Sequence, residues 1–452
     1  MNILNKLTKL LVTSLLAGSF ASGVYAYEAK VVRMTGAAEV QLPGEAAAKP
    51  VTAGMLIPQG AVITTSANTQ VFVEAIPGAV AAIEPNSVVK MEKLHVVTRG
   101  TEVASQEALL DLKKGGIVST IDPARKAINR YGVRTPKGVA AARGTAFSAT
   151  VSADGFTIAS TADAVTFTSA DGSSYLISAG QISITPPGGT PQPPVSLASA
   201  IASNPEVAGV VETAVTTLAT VVQNNLASGM SADTAASLAA QVISVAATAI
   251  PAEAASFTTQ IVTAVTATGS SAAGSSTAAA AVTSAAAAAA PAQAAAVAAA
   301  ATTVAPTQAA AIASAATTAA PTQAAAIASS VTTAAPTQAA TVAAAVVTAA
   351  VAQGQSAAVS TEIVAAAAAA SGTTATALQT QVSSADVQQA ASTATDTATQ
   401  ATQQATEVTQ NVTQPAAPTP AAPDAPPVAP PPPPPIVTPD LPPVSGSGLP
   451  VG

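Results

Sequence analysis

Pro291, Pro306, Pro321 and Pro336 recur every 15 residues, and this spacing limits how long any helix around them can be. Proline fits a helix's first turn but not its interior, where it lacks a donor and clashes with the preceding turn. Gln follows each proline by two residues (Gln293, Gln308, Gln323, Gln338), and Val or Ile by six (Val297, Ile312, Ile327, Val342). The unit is an internal repeat. The spacing predicts one Ala-rich helix of about ten to twelve residues per unit, closed by a Thr-Thr-rich stretch. Pro205 and Pro251 open earlier, less regular units. One buried Ile or Val per unit contributes ~1.5–3 kcal/mol, against roughly 1.5 kcal/mol of entropy per ordered residue. Isolated helices this short are marginal in water. Residues 191–413 are therefore expected to form a loosely packed helical repeat region.

Bulky apolar side chains concentrate in the first 190 of the 452 residues, and only 2% of the chain is aromatic. Residues 27–190 alone can bury a sizeable core on this reading. Within them, apolar and polar residues alternate: Val89 and Met91 against Lys90 and Glu92, Leu110 and Leu112 against Asp111 and Lys113. Val165 and Phe167 alternate likewise with Thr166 and Thr168, as do Ile182 and Ile184 with Ser183. Asp154-Gly155 and Asp171-Gly172 are hairpin-turn signals. The pattern predicts an all-β domain of about a dozen short strands, with a helical turn allowed only at Ser105–Leu110.

Lys6 and Lys9 precede an apolar run from Leu10 to Phe20, and Val24 and Ala26 sit three and one before a cut after Ala26. Residues 1–26 read as a secretory signal peptide. The expected location is exported: periplasmic, cell-surface or extracellular. All 14 remaining Lys and Arg lie between Lys30 and Arg143, and the 309 residues after Arg143 carry 13 acids and no base. Such a chain is not expected to neutralise nucleic-acid phosphates. The 108 uncharged residues between Glu253 and Glu362 are too rich in Ala, Ser, Thr, Gln and Pro to suggest a membrane span in the mature chain. From residue 414 onward Pro dominates, and 414–452 is expected to be a disordered, extended tail.

There is no Cys, and His95 is the only histidine, which excludes thiolate chemistry and multi-His metal centres. His95 reads as a half-exposed strand residue. Glu102, Glu107, Asp111 and Asp122 read as surface acids rather than catalytic pairs, and no phosphate loop, nucleophile elbow or calcium loop is present. No catalytic, cofactor or metal residues are nominated, no cofactor is expected, and the chain is not expected to be an enzyme.

The segment Thr135-Pro136-Lys137-Gly138-Val139-Ala140-Ala141-Ala142-Arg143-Gly144-Thr145-Ala146-Phe147 resembles the core signature of FecR-type domains. Val51–Gly54 followed by Pro58-Gln59-Gly60-Ala61 and Val62–Thr65 is similar to an upstream family segment, although Ala61 stands where an acid is usual. Ile83-Glu84-Pro85-Asn86-Ser87, Leu110–Gly115 and Ser178-Ala179-Gly180-Gln181 resemble three further motifs in the family's order. The resemblance covers about residues 30–185. It implies a β sandwich or solenoid-like module from periplasmic regulators that relay transporter occupancy to a sigma factor. Here a signal peptide stands in place of their cytoplasmic and membrane segments, so the sigma-factor role is not carried over.

The motif residues Gly60, Pro85, Ser87, Gly115, Thr135, Pro136, Gly138, Arg143, Gly144, Thr145, Phe147 and Gly180 are expected to be structural. Arg143 is expected to reach a carboxylate or free carbonyls, with a partner contact as the alternative. The function expected is binding or interaction with an unidentified envelope or surface protein, or with a polysaccharide. The alternatives are a structural or adhesive component assembled through the repeats, and a part in a cell-surface signalling relay.

Overall fold

The computed structural model describes residues 22–99, 102–153, 155–227, 231–267 and 272–413. Most of the leader and the Pro-rich tail lie outside the described residues. Eighteen strands occupy the N-terminal region of those described. They are β1 (Ser22–Ala26), β2 (Ala29–Thr35), β3 (Ala38–Gln41), β4 (Lys49–Pro50), β5 (Leu56–Ile57), β6 (Val62–Thr65), β7 (Gln70–Ile76), β8 (Ala79–Ile83) and β9 (Val88–Arg99). β10 (Glu102–Ile121), β11 (Asn129–Thr135), β12 (Gly138–Ala142), β13 (Ala146–Ser152), β14 (Gly155–Ala162), β15 (Val165–Ser169), β16 (Ser174–Ile177), β17 (Gln181–Thr185) and β18 (Val195–Ser196) follow.

Their hydrogen bonds build two layers that share β10. Sheet A runs β4, β3, β6, β9, β10, β11, β12, β15, β16, with β1 beside the far end of β9. Sheet B runs β5, β2, β7, β8, β10, β13, β14, β17, β18. The β10–β11 pair is parallel, so the β region is mixed. Instead of the helical turn allowed at Ser105–Leu110, those residues continue β10, because Ala108 and Leu110 alternate into the core. Between the layers pack Ile63, Met91 and Leu110 of sheet A with Val73, Ile83 and Ile158 of sheet B. Tyr131 meets Phe147 edge-on across the gap at 6.2 Å. Ser22–Ala26, assigned by sequence to the leader, pairs with His95–Arg99. A cut after Ala26 would therefore remove one strand of sheet A.

Helices follow in sequence: α1 (Leu197–Ser203), α2 (Ala208–Ala227), α3 (Ala232–Ala249), α4 (Ala254–Thr266), α5 (Ala272–Ala289) and α6 (Ala294–Val304). Next come α7 (Ala309–Ala319), α8 (Ala324–Ala334), α9 (Ala339–Ala352), α10 (Ala357–Ser371), α11 (Ala375–Val382) and α12 (Ala385–Thr413). The repeat proline sets each junction. Ala290, Ala305, Ala320 and Ala335 sit at φ −131 to −136° and ψ 60–70°, because a residue before proline is driven out of the helical region. Each of these alanines donates to the carbonyl four residues back and accepts from the Gln three residues on. The Thr pairs do not form a connecting stretch. They occupy each helix's last turn, where Thr302, Thr303, Thr317 and Thr318 donate to carbonyls four residues earlier. The helices thus meet with a single residue between helix and 3-10 turn.

Such abrupt junctions send alternate helices into two layers, α2, α4, α6, α8 and α10 in one and α3, α5, α7 and α9 in the other. The 29-residue α12 lies along α5, α7 and α9. The loose packing expected of residues 191–413 gives way to a close-packed array. Val297, Ile312, Ile327 and Val342 are fully buried, and α7, under α12, buries nine of its eleven residues. One large side chain per unit understates what each helix buries, because Ala faces approach closely enough to bury their Cβ atoms as well.

No gap in packing separates the β region from the array, and the described residues form one compact unit. Val221 of α2 packs on Phe72, Val80, Ala82 and Val118. Val211, Val215, Leu218 and Val222 share a second cluster with Ala146, Ala159, Ala162 and Ile182 of sheet B. Each large side chain so buried is worth ~1.5–3 kcal/mol. Pro205–Gln223 is long and apolar enough to cross a membrane, and in this fold it is packed on the sheet.

Candidate interaction face

Because the helices cover sheet B, the outer side of sheet A is the broad open surface of the β region. Period-two alternation brings three cross-strand rows to it. Lys90, Asp111 and Arg134 stand opposite one another on β9, β10 and β11, and the row continues through Val139 and Thr168. Lys93, Leu109, Gly132, Ala141 and Thr166 form the next row. His95, Glu107 and Arg130 form the third.

Ion pairs occupy part of this surface. Lys93 Nζ lies 2.8 Å from Glu107, Lys113 Nζ lies 2.6 Å from Asp111, and Arg134 pairs with Glu92. The more exposed of them, Lys93–Glu107, contributes ~0–1 kcal/mol. Leu109 covers Gly132, where a Cβ would stand 3.1 Å from its Cδ1. His95 is half-buried between Ala26 and Glu107 in the ladder, the strand environment expected for it.

The structure brings several motif residues together although the sequence holds them apart. Ser87 Oγ accepts from Gly116 N at 2.9 Å, and its N–H donates to Thr65 Oγ1. Gly115 has φ +85°, and a Cβ there would lie 2.1 Å from Ser87 Oγ, so only glycine fits where β10 passes from sheet A to sheet B. Pro85 forms the turn into Ser87. At the other end of β11, Thr135 Oγ1 donates to Gly138 O and accepts from Lys137 N, which closes the turn through Pro136. Gly138 lies against Thr168 O, where a Cβ would come to 2.2 Å. Gly60 donates to Met91 O, and Gly180 donates to Ser160 O and accepts from Leu197 N. Phe147 is fully buried, and Thr145 O accepts from Ile121.

Arg143 differs from its sequence-based reading. Its side chain is exposed and makes no ion pair or hydrogen bond among the described residues; only its carbonyl is engaged, by Asn129 Nδ2 at 3.3 Å. The structural work expected of it falls to a buried amide pair. Gln106 Nε2 donates to Asn129 Oδ1 and to Pro77 O, and Asn129 Nδ2 reaches Asp122 O and Arg143 O.

A second missed group is Glu84, inside the Ile83–Ser87 motif. It accepts from Gln70 Nε2 at 2.8 Å and lies 3.5 Å from Thr217 Oγ1 of α2, so it ties sheet B to the array. Burial raises its carboxyl above the usual range, partly offset by those hydrogen bonds. Away from the β region, the groove between α10 and α11, lined by Val364, Ala365, Thr376 and Gln379, carries no titratable lining residue.

No family model matches the chain, and no curated protein does. Two crystal structures of a putative anti-sigma factor from Parabacteroides distasonis share 14% identity over 30% of this chain, with a TM-score of 0.24. The chain spans 59% of that protein's length.

Proposed function

We propose that the protein is a non-enzymatic, exported interaction module that contacts an envelope or surface partner through the outer side of sheet A. The single observation that carries this reading is the asymmetry of the two layers, with α2 and α3 packed over β7, β8, β10, β13 and β14 of sheet B and sheet A open. The array buttresses the β region and holds the contact face away from itself. A FecR-type ancestry for residues 30–185 is part of the reading, and the meeting of Ser87 with Gly115 supports it, because two separated motifs serve one junction. Export accounts for the leader-like sequence before Tyr27.

Ala141 is exposed on β12, so Ala141→Trp should block the face without entering the core. The full chain should capture an envelope component that Ala141→Trp fails to capture, while Thr303→Trp on the exposed side of α6 captures it normally. Equal capture by both variants would refute the proposal.

A further inference from the structure

Past the last paired residues of β11 and β12, Tyr131 and Ala142, the antiparallel register carries on to Arg130 and Arg143. Both side chains are exposed, and neither makes an ion pair or side-chain hydrogen bond among the described residues. Like charges at neighbouring cross-strand positions oppose pairing. The fold gains nothing from these two guanidinium groups, and Glu107, the acid beside Arg130 in the ladder, is taken by Lys93.

Their backbone is held firmly. Asn129 ties Arg143 O to Asp122 O, and Gly144 sits so close to Pro123 that a Cβ would come within 2.8 Å of its Cα. The same contact brings the 3-10 turn Pro123–Arg125 and Lys126 alongside, since that Cβ would lie 3.5 Å from Lys126 Cβ. Lys126 is neutralised by Asp163 at 2.7 Å, and Arg125 approaches Asp122 at 3.7 Å. Those two carboxylates are engaged by Lys126 and Arg125, which leaves Arg130 and Arg143 as the unpaired cations of the corner.

We propose that Arg143, with its ladder neighbour Arg130, anchors an acidic, extended protein segment at this corner of the β region. This rests on the interaction-module reading and names the partner's chemistry. Guanidinium groups favour carboxylate oxygens through paired N–H donors. Adjacent strand positions match side chains spaced along an extended peptide. A dense polyanion is the poorer fit, because Asp122 and Asp163 border the same corner.

The test titrates a fluorescent deca-glutamate peptide onto the full chain at low and moderate salt. The wild type should bind with salt-sensitive affinity, and Arg130→Gln plus Arg143→Gln should weaken binding roughly tenfold. The melting temperature of that double variant should stay within about 2 °C. Lys49→Gln, which removes a cation paired elsewhere with Glu45, should bind as the wild type does. Absence of wild-type binding, unchanged binding by the double variant, or a large fall in its melting temperature would overturn the assignment. So would a heparin fragment that outcompetes the peptide and loses affinity in parallel, marking a general polyanion site. If Ala141→Trp loses the envelope component while the double variant keeps it, this anchor is wrong and the open-face reading stands.

Discussion

Truncating Ile327 to alanine measures how tightly the helical array is packed. Ile327 is fully buried on α8, which packs on α6 and α10 in its own layer and touches α7 and α9 in the other. Removing three carbons forfeits ~0.8 kcal/mol each in transfer free energy, ~2.4 kcal/mol in all. The cavity adds ~24 cal/mol per Å³ that the surroundings fail to fill. Here the surroundings are largely Ala Cβ atoms and helix backbone, which offer few long side chains to swing in. The total expected for Ile327→Ala is therefore about 4 kcal/mol, toward the upper end for such a truncation. Ile327→Val should lose about 1 kcal/mol, and Thr322→Ala, at an exposed turn position, less than ~0.5 kcal/mol. Denaturant unfolding followed by circular dichroism gives the three values, and hydrogen exchange across residues 291–345 localises the loss. A cost below ~1 kcal/mol for Ile327→Ala, together with unprotected amides across that range, would show that the units do not bury one another and would refute the packing argument.

Three further outcomes are expected. Gly115→Ala should cost more than about 3 kcal/mol by urea denaturation, since it combines a positive φ with a clash against Ser87. Gly172→Ala, with a similar φ but open space, should lose about 1 kcal/mol. Burial raises the Glu84 carboxyl, so its stabilising contribution is present below the ordinary carboxylate pKa and lost as pH rises through its folded value. Glu84→Gln should accordingly gain on the wild type between pH 4 and pH 7, and a gap that narrows would contradict the buried-carboxylate account. Burial pushes the Tyr131 phenol well above the ordinary tyrosine range, against the hydrogen bond it shares with Ser119. Absorbance at 295 nm should show this phenol ionising only as the chain unfolds in alkali; its smooth titration in the folded state would exclude the buried position.

The Arg143 case shows where local reading stopped. The motif around it was recognisable, and Thr135, Pro136 and Gly138 form the tight turn that their residue types demand. Arg143 itself is expected to reach a carboxylate or free carbonyls, with a partner contact as the alternative, because guanidinium groups usually find such acceptors in a fold. Whether one lies within reach depends on which strands become neighbours, and in the structure Glu107 is taken by Lys93. Asp111, read as an exposed alternate, is nearly buried for the same non-local reason, enclosed between the rows of β9 and β11.

What the amino-acid sequence determined alone was everything enforced within a few residues. Proline spacing produced helices of eleven residues and their junctions, and alternation assigned the inward faces of β9, β10 and β15. Tertiary structure decided what depends on surfaces meeting across long stretches of chain. It let a 20-residue β10 serve two sheets, packed alanine faces into layers, and set the array against sheet B, leaving sheet A open. The reason is that covalent geometry constrains neighbours directly, whereas burial is a property of whichever surfaces the complete fold brings into contact.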